Sequence, residues 1–464
     1  MLFSSFSFLF WFLPAVLMLY FVPAAVLGRR ALAWQNAVLL VASLVFYAWG
    51  EPLYVFLMIG VIAFDTLFGI LLTRVRHRRA LLVFAIVCHV GLLVFFKYLS
   101  FFASLVGLSF KAPRLPIGIS FYTFQALSYL ADVYKGDVPA ERNPATFGVY
   151  LALFPQLIAG PIVRYSDVAD ALRARTHTVS GAANGARRFA AGLAKKVLLA
   201  NPMGALFTHF TSMGELTFVG ALAALLGFAF QIYFDFSGYS DMAIGLGRIF
   251  GFDFPENFRY PYIARSITDF WRRWHITLSS FFREYVYIPL GGNRRGKLRT
   301  VCNLFVVWAL TGLWHGAAWS FVLWGIYYFA LLALEKFALA RFLPRLPLFL
   351  RHGLTICAIL FGWLLFAFDG SAPHLSLSAL GGFLAALAGR GGFTAGADLY
   401  DLVRHLPLLA ICALACTPLP RRLYQRFCAK RGAFLTTVLP LLALLLSIVE
   451  LSDAGFNPFL YFRF

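Results

Sequence analysis

Two histidines, His275 and His315, sit among tryptophans and glycines in an otherwise largely apolar stretch, Phe270 to Glu335. Imidazole is the side chain whose ordinary pKa best suits proton transfer near neutral pH. An ionisable group inside an apolar membrane segment is costly, so function is the first reading of it. The chemistry open to such residues is general acid and base work on a hydroxyl, or a proton relay. Trp274 precedes one histidine and Trp314 the other, and Gly312 and Gly316 flank His315.

The elements that must position these imidazoles differ. On a helix, Trp271, Trp274, His275, Leu278 and Phe282 form one stripe at i, i+3, i+4, i+7 and i+11, so Ser266–Leu290 is expected to be an amphipathic helix lying at the interface or dipping inward. His275 on that stripe is either catalytic or a packed histidine whose nitrogens are satisfied by backbone or water. Val301–Leu334 is too long for one untilted crossing. Gly312 and Gly316 make a GxxxG pattern suited to close helix packing, and His315 is expected at a break between two helical pieces. It too is either catalytic or part of a packed core.

The surrounding chain is 61% hydrophobic, 18% aromatic and 13% charged, far from the roughly 25% charge of soluble proteins. Uncharged runs of near-spanning length recur, among them Phe6–Leu27, Ala31–Gly50, Ala80–Phe96, Leu216–Phe234, Gly353–Phe368 and Ala433–Val449. An all-α polytopic membrane protein with about ten to twelve hydrophobic helices is expected. Runs this long exclude a transmembrane barrel. The first charge is Arg29, so Phe6–Leu27 reads as a retained span rather than a cleavable signal. The net charge of +20 lies in short clusters between apolar runs, which points to topology rather than nucleic acid. The positive-inside bias puts Arg29–Arg30, Arg74–Arg79 and Arg421–Arg431 in the cytoplasm and both termini outside. Six cysteines without CxxC pairs carry no assigned chemistry, and no metal site is expected.

Other stretches place polar groups in apolar surroundings. Leu115–Tyr165 carries Pro116, Gly118, Pro155, Gly160 and Pro161 with Gln125, Asp132 and Gln156, and reads either as re-entrant segments or as kinked spans. Arg187, Arg188, Lys195 and Lys196 are expected to share the face of a cytoplasmic surface helix. Asp235 and Asp241 need a cation, for which Arg248, Arg272 and Arg273 are candidates, and a structural ion pair is the favoured role. The basic turn GGNRRGKLR, Gly291–Arg299, lacks Walker spacing; it is an anchor or a receiver of phosphates.

Taken in order, PIGISFYTFQALSYLADVY, FPQLIAGPIVRY, FQIYFDFSGYSDMAIGLGRIFGFDFPENF, ITDFWRRWHITLSSFFREYVYIPLGGNRRG, GLWHGAAW and the NPFLYFRF tail resemble the membrane-bound O-acyltransferases, in the branch of alginate O-acetyltransferases and related cell-surface acylation proteins. The resemblance covers nearly the whole chain as a single domain: peripheral spans over 1–110, a tunnel and catalytic core over 115–335, and C-terminal spans with a tail over 336–464. It implies helices, some re-entrant or interfacial, around a central tunnel in a bacterial inner membrane. It implies a cytosolic acyl-CoA donor, acetyl-CoA in this branch, and no metal. By the resemblance His315 is the principal histidine and His275 the second, supported by Trp274, Trp314, Asp235 and Arg273, with donor phosphates on Arg294, Arg295 and Lys297. The acyl group would pass to an extracytoplasmic polysaccharide through an exported or membrane-anchored acyltransferase. A polysaccharide or lipid transporter using the histidines as relays, and a non-catalytic scaffold, are the rival classes.

Overall fold

The computed structural model describes residues 1–110, 113–213, 216–453 and 460; most of the NPFLYFRF tail lies outside the described residues. Every regular element among them is helical, as the apolar runs require. Among the described residues seven helices are long and apolar enough to cross a membrane, or eight if Gly396–Ala415 and Leu419–Cys428, bent by 76°, form one span. The count takes the segment Ser7–Gly50 as one, although it holds two of the expected spans. The runs Phe6–Leu27 and Ala31–Gly50 join in one continuous apolar segment, Ser7–Gly50. The segment turns at Gly28, whose φ of +51° is open to glycine, and Leu13–Phe21 packs against Ala31–Gly50. The long run Val301–Leu334 is divided at His315, and its first half begins in the basic turn.

The described chain forms two compact units. One comprises Met1–Leu193 with Tyr239–Glu256; the other comprises Ala194–Gly238 with Asn257–Leu460. In the first, Tyr54–Arg74 and Arg78–Leu93 pack on each other and on Ile119–Lys135. The Leu115–Tyr165 stretch becomes helices of 17, 9 and 4 residues, nearly all buried, with a break at Leu153. Gly118 opens this run at φ +73°, where a Cβ would stand 2.6 Å from the Leu157 carbonyl oxygen. Within the apolar helices His89 and Asp65 form a buried contact at 2.7 Å, so 1–110 holds more than apolar scaffold. Arg188 donates from Nη2 to Asp241 at 2.8 Å and from Nη1 to Glu256 at 2.6 Å.

The second unit corrects two expectations about charge. Asp235 meets Lys196 at 2.8 Å, both side chains almost fully buried. None of the three arginines is the partner: Arg248 pairs with Asp253, Arg273 with Asp269, and Arg272 is exposed. Lys196 accordingly leaves the solvated face expected for it. A lone carboxylate or ammonium would be far costlier to bury than the two together. The pair is further satisfied by the Asn201 Oδ1, 2.8 Å from Lys196 Nζ, and by the Leu460 amide, 2.8 Å from Asp235 Oδ2.

Candidate active site

The amphipathic helix expected over Ser266–Leu290 is interrupted at its histidine. Ile267–Trp271 ends, four residues follow, and Ile276–Phe282 begins, with His275 between them at φ +43° and ψ +54°. Only Tyr260 shares a positive φ among the described residues other than glycine. Such a conformation costs on the order of 1–2 kcal/mol and persists only where its surroundings hold it. Here they do. The Ile276 amide donates to the Asn257 carbonyl at 3.0 Å and the Arg259 amide to the Arg273 carbonyl at 2.9 Å, so the segment 257–259 clamps the junction from both sides.

Asn257 also sets the histidine's tautomer. Its Oδ1 accepts from the Thr277 hydroxyl at 2.9 Å and from the Thr277 amide at 3.3 Å. A backbone N–H can only donate, which identifies that atom as the carboxamide oxygen. The same oxygen lies 3.1 Å from His275 Nδ1, so Nδ1 carries the proton and donates, and Nε2 is the acceptor. His275 lies outside the helices long enough to span. Burial lowers its pKa to about 3, so the imidazole is neutral in the working range.

His315 ends the helix Lys297–His315, and Gly316 to Ala318 turn the chain into Trp319–Leu334. The break expected at this histidine is therefore present. The GxxxG expectation holds in part. A Cβ on Gly312 would lie 2.5 Å from the Phe321 carbonyl and 3.2 Å from the Gly325 Cα, so Gly312 and Gly325 let the two helices touch. Gly316 instead faces the Phe321 ring. The imidazole is buried among rings: Trp314 at 4.8 Å, Trp324 at 4.9 Å and Phe366 at 5.1 Å between centroids.

The structure brings the two histidines to one indole. Trp314, 4.8 Å from His315, is 5.9 Å from His275. Trp274, next to His275 in the chain, meets Phe258 edge-on at 5.0 Å and Trp363 at a tilt at 4.6 Å. Asp235 sits one residue before Phe236, whose ring meets His275 edge-on at 4.7 Å. Arg273 does not reach Asp235; its Nε holds Asp269 at 2.8 Å and its Nη1 the Arg259 carbonyl at 3.3 Å, which stiffens the His275 junction. Arg294, Arg295 and Lys297 are exposed. Their turn is tied to the His315 helix by Asn303, whose Nδ2 donates to the Gly292 carbonyl at 2.9 Å.

Sequence reasoning missed Asn257, Thr277, Trp324 and Phe366. Asn257 lies within the FPENF motif, but its separation of 18 residues from His275 carries no helical signal. Trp324 is 1% exposed, and its Nε1 has no hydrogen-bond partner among the described residues. A buried donor left so calls for an explanation, and a substrate oxygen is one. No three His, Cys, Asp or Glu side chains converge as metal ligands among the described residues.

Residues 137–378 match the family model described as the membrane-bound O-acyltransferase family. The chain is 43% identical over 380 residues to the probable alginate O-acetylase AlgI of Pseudomonas aeruginosa, covering 79% of this chain and 72% of that one. To the probable alginate O-acetylase AlgI of Pseudomonas putida it is 37% identical over 499 residues and the full length of both. The similarity extends to the peptidoglycan O-acetyltransferase of Helicobacter pylori, 36% identical over 410 residues, 79% of this chain and 77% of that one.

Proposed function

Since the chain belongs to the membrane-bound O-acyltransferase family, we propose that it moves an acetyl group from cytosolic acetyl-CoA for O-acetylation of a polysaccharide outside the inner membrane, with His315 as the general base and acid. The observation that carries this reading is the junction at Trp314, where two imidazoles at two helix breaks touch one buried indole. Alginate and peptidoglycan are the acceptors in the names of relatives, which supports a polysaccharide here as the acceptor class.

A thioester is already activated, so the task is to deprotonate a hydroxyl, hold it against the carbonyl and stabilise the oxyanion. His315 takes the hydroxyl proton while the hydroxyl oxygen bonds to the acyl carbon. The C–S bond then breaks and the proton passes to the departing thiolate. His315 is the last residue of its helix, where the helix dipole favours the charge gained on protonation. The Trp324 N–H is assigned to the oxyanion, and His275, held by Asn257, positions the donor. Trp274, Trp314 and Phe366 exclude water, which would hydrolyse the thioester. The Lys196–Asp235 pair supports this core, while Arg273 stiffens the His275 junction. Arg294, Arg295 and Lys297 receive the donor phosphates at the mouth of a tunnel. The hydroxyl that takes the acetyl group is assigned to a separate exported or membrane-anchored acyltransferase, which passes it on to the polysaccharide, and both termini face that side.

The test uses purified protein in vesicles with labelled acetyl-CoA. Loss of transfer in His315→Ala, with the protein still folded, is the expected result. Unchanged transfer in both His315→Ala and His275→Ala would leave a scaffold as the better reading.

A further inference from the structure

The turn between the helices Tyr54–Arg74 and Arg78–Leu93 borders a groove of about 1040 Å³, lined by Arg76, His77, Arg78 and Arg79 at one end and by Val83, Phe84 and Val87 along the helix, with Tyr134 closing it. No carboxylate among the described residues lines it. The geometry points to a binding site for one anionic phospholipid, its headgroup phosphate on Arg76 and Arg79 and an acyl chain along Val83, Phe84 and Val87.

The arginines divide their work. Arg78 is built into the fold: its Nη2 donates to the Tyr134 carbonyl at 3.2 Å and the Val133 carbonyl at 3.4 Å, and its guanidinium lies 5.7 Å from the Tyr134 ring centre. These carbonyls end the helix Ile119–Lys135, where acceptors lack intrahelical donors. Arg76 and Arg79 are exposed and make no ion pair or side-chain hydrogen bond among the described residues, so their donors face outward. The first turn of Arg78–Leu93 adds its own positive dipole to the same end.

The apolar wall decides between a lipid and a soluble phosphate. Val83, Phe84 and Val87 are 51%, 55% and 62% exposed on a helix apolar enough to span the membrane. Phe84 is braced by Phe68, ring centres 5.9 Å apart, so the wall is a fixed surface. A free phosphate would engage only the cationic end and leave this wall unused. A phospholipid fills both, with charge at the interface and hydrocarbon below it.

The experiment measures lipid bound to the full chain. Protein is purified from vesicles of phosphatidylcholine containing a minor share of phosphatidylglycerol, and the retained lipid is quantified by native mass spectrometry. Wild type is expected to retain phosphatidylglycerol over phosphatidylcholine. Arg76→Gln/Arg79→Gln should lower that retention by about thirtyfold, from two surface arginines. Phe84→Ala should lower it less, and the matched loss of charge in Arg421→Gln/Arg422→Gln should not change it. Equal retention in wild type and the Arg76/Arg79 variant, or equal loss in the Arg421/Arg422 variant, overturns the site. Displacement of the lipid by free coenzyme A or inorganic phosphate would assign the groove to a soluble anion and also overturn it.

Discussion

Buried histidines occur in both compact units, and their partners differ. In the first, His89 meets the carboxylate of Asp65 at 2.7 Å between two apolar helices. In the second, the Nδ1 of His275 meets the amide oxygen of Asn257, and His315 is ringed by Trp314, Trp324 and Phe366. A carboxylate shares or neutralises an imidazole's proton and ties two helices together. An amide fixes the ring's orientation without supplying charge, and aromatic rings exclude water. The first arrangement suits a structural clasp; in the second, the amide suits a His275 that stays neutral, and the ring cage suits an imidazole at His315 that gains and loses a proton during turnover.

Breaking the second arrangement should cost chemistry. His315→Ala is expected to lower acyl transfer by about 10³-fold, within the range for a lost general base, measured as labelled acetyl released from acetyl-CoA per folded protein. Trp324→Phe keeps the ring and removes one donor, and should lower the transfer rate by about 10²-fold with donor affinity little changed. Retained rates in this variant would remove Trp324 from the oxyanion role. Asn257→Ala should cost about tenfold by freeing the His275 ring, a loss typical of a residue that orients another.

Breaking the first arrangement should cost stability instead. Asp65→Ala leaves His89 buried beside no carboxylate and is expected to destabilise the protein by about 3 kcal/mol. Thermal unfolding in detergent reads that loss, while transfer per folded molecule should hold. A matching fall in turnover would mean that the clasp communicates with the chemistry.

The smallest effect concerns pH. The His275 pKa, ordinarily 6.5, is lowered to about 3 by burial. The unfolded chain thus binds a proton that the folded one refuses, so stability from this group falls as pH drops below 6.5 and the loss levels off below 3. Between pH 5 and 8, in the range where ordinary histidines titrate, the folded residue stays neutral. His275→Gln should therefore leave the shape of the pH–rate profile unchanged even if it lowers the rate. A displaced acidic limb would show that His275 titrates during turnover.

Fold class was legible in the sequence because solvent in the bilayer core cannot satisfy backbone groups, which leaves long uncharged runs only the helix. The His315 break was legible too, from a run too long for one crossing with glycines near its middle. The His275 stripe misled: five residues match a helical face, yet the chain bends there at a left-handed His275, held by backbone bonds from Asn257 and Arg259. Periodicity reports what a helix would bury, not whether another segment of the chain will interrupt it. Similarly, the charges on Asp235 and Arg273 were visible, but their partners depended on reach, and Lys196 and Asp269 were nearer.

The sequence by itself determined that this chain is helical and membrane-embedded, with two histidines set in apolar sequence, because hydrophobicity and residue type act locally and survive any arrangement of the helices. Only the tertiary structure decided that His275 takes its tautomer from Asn257, that Asp65 clasps His89, and that one indole touches both candidate catalytic imidazoles. Those outcomes depend on contacts a few ångströms long between residues far apart in the chain, and such contacts form only once the helices have packed.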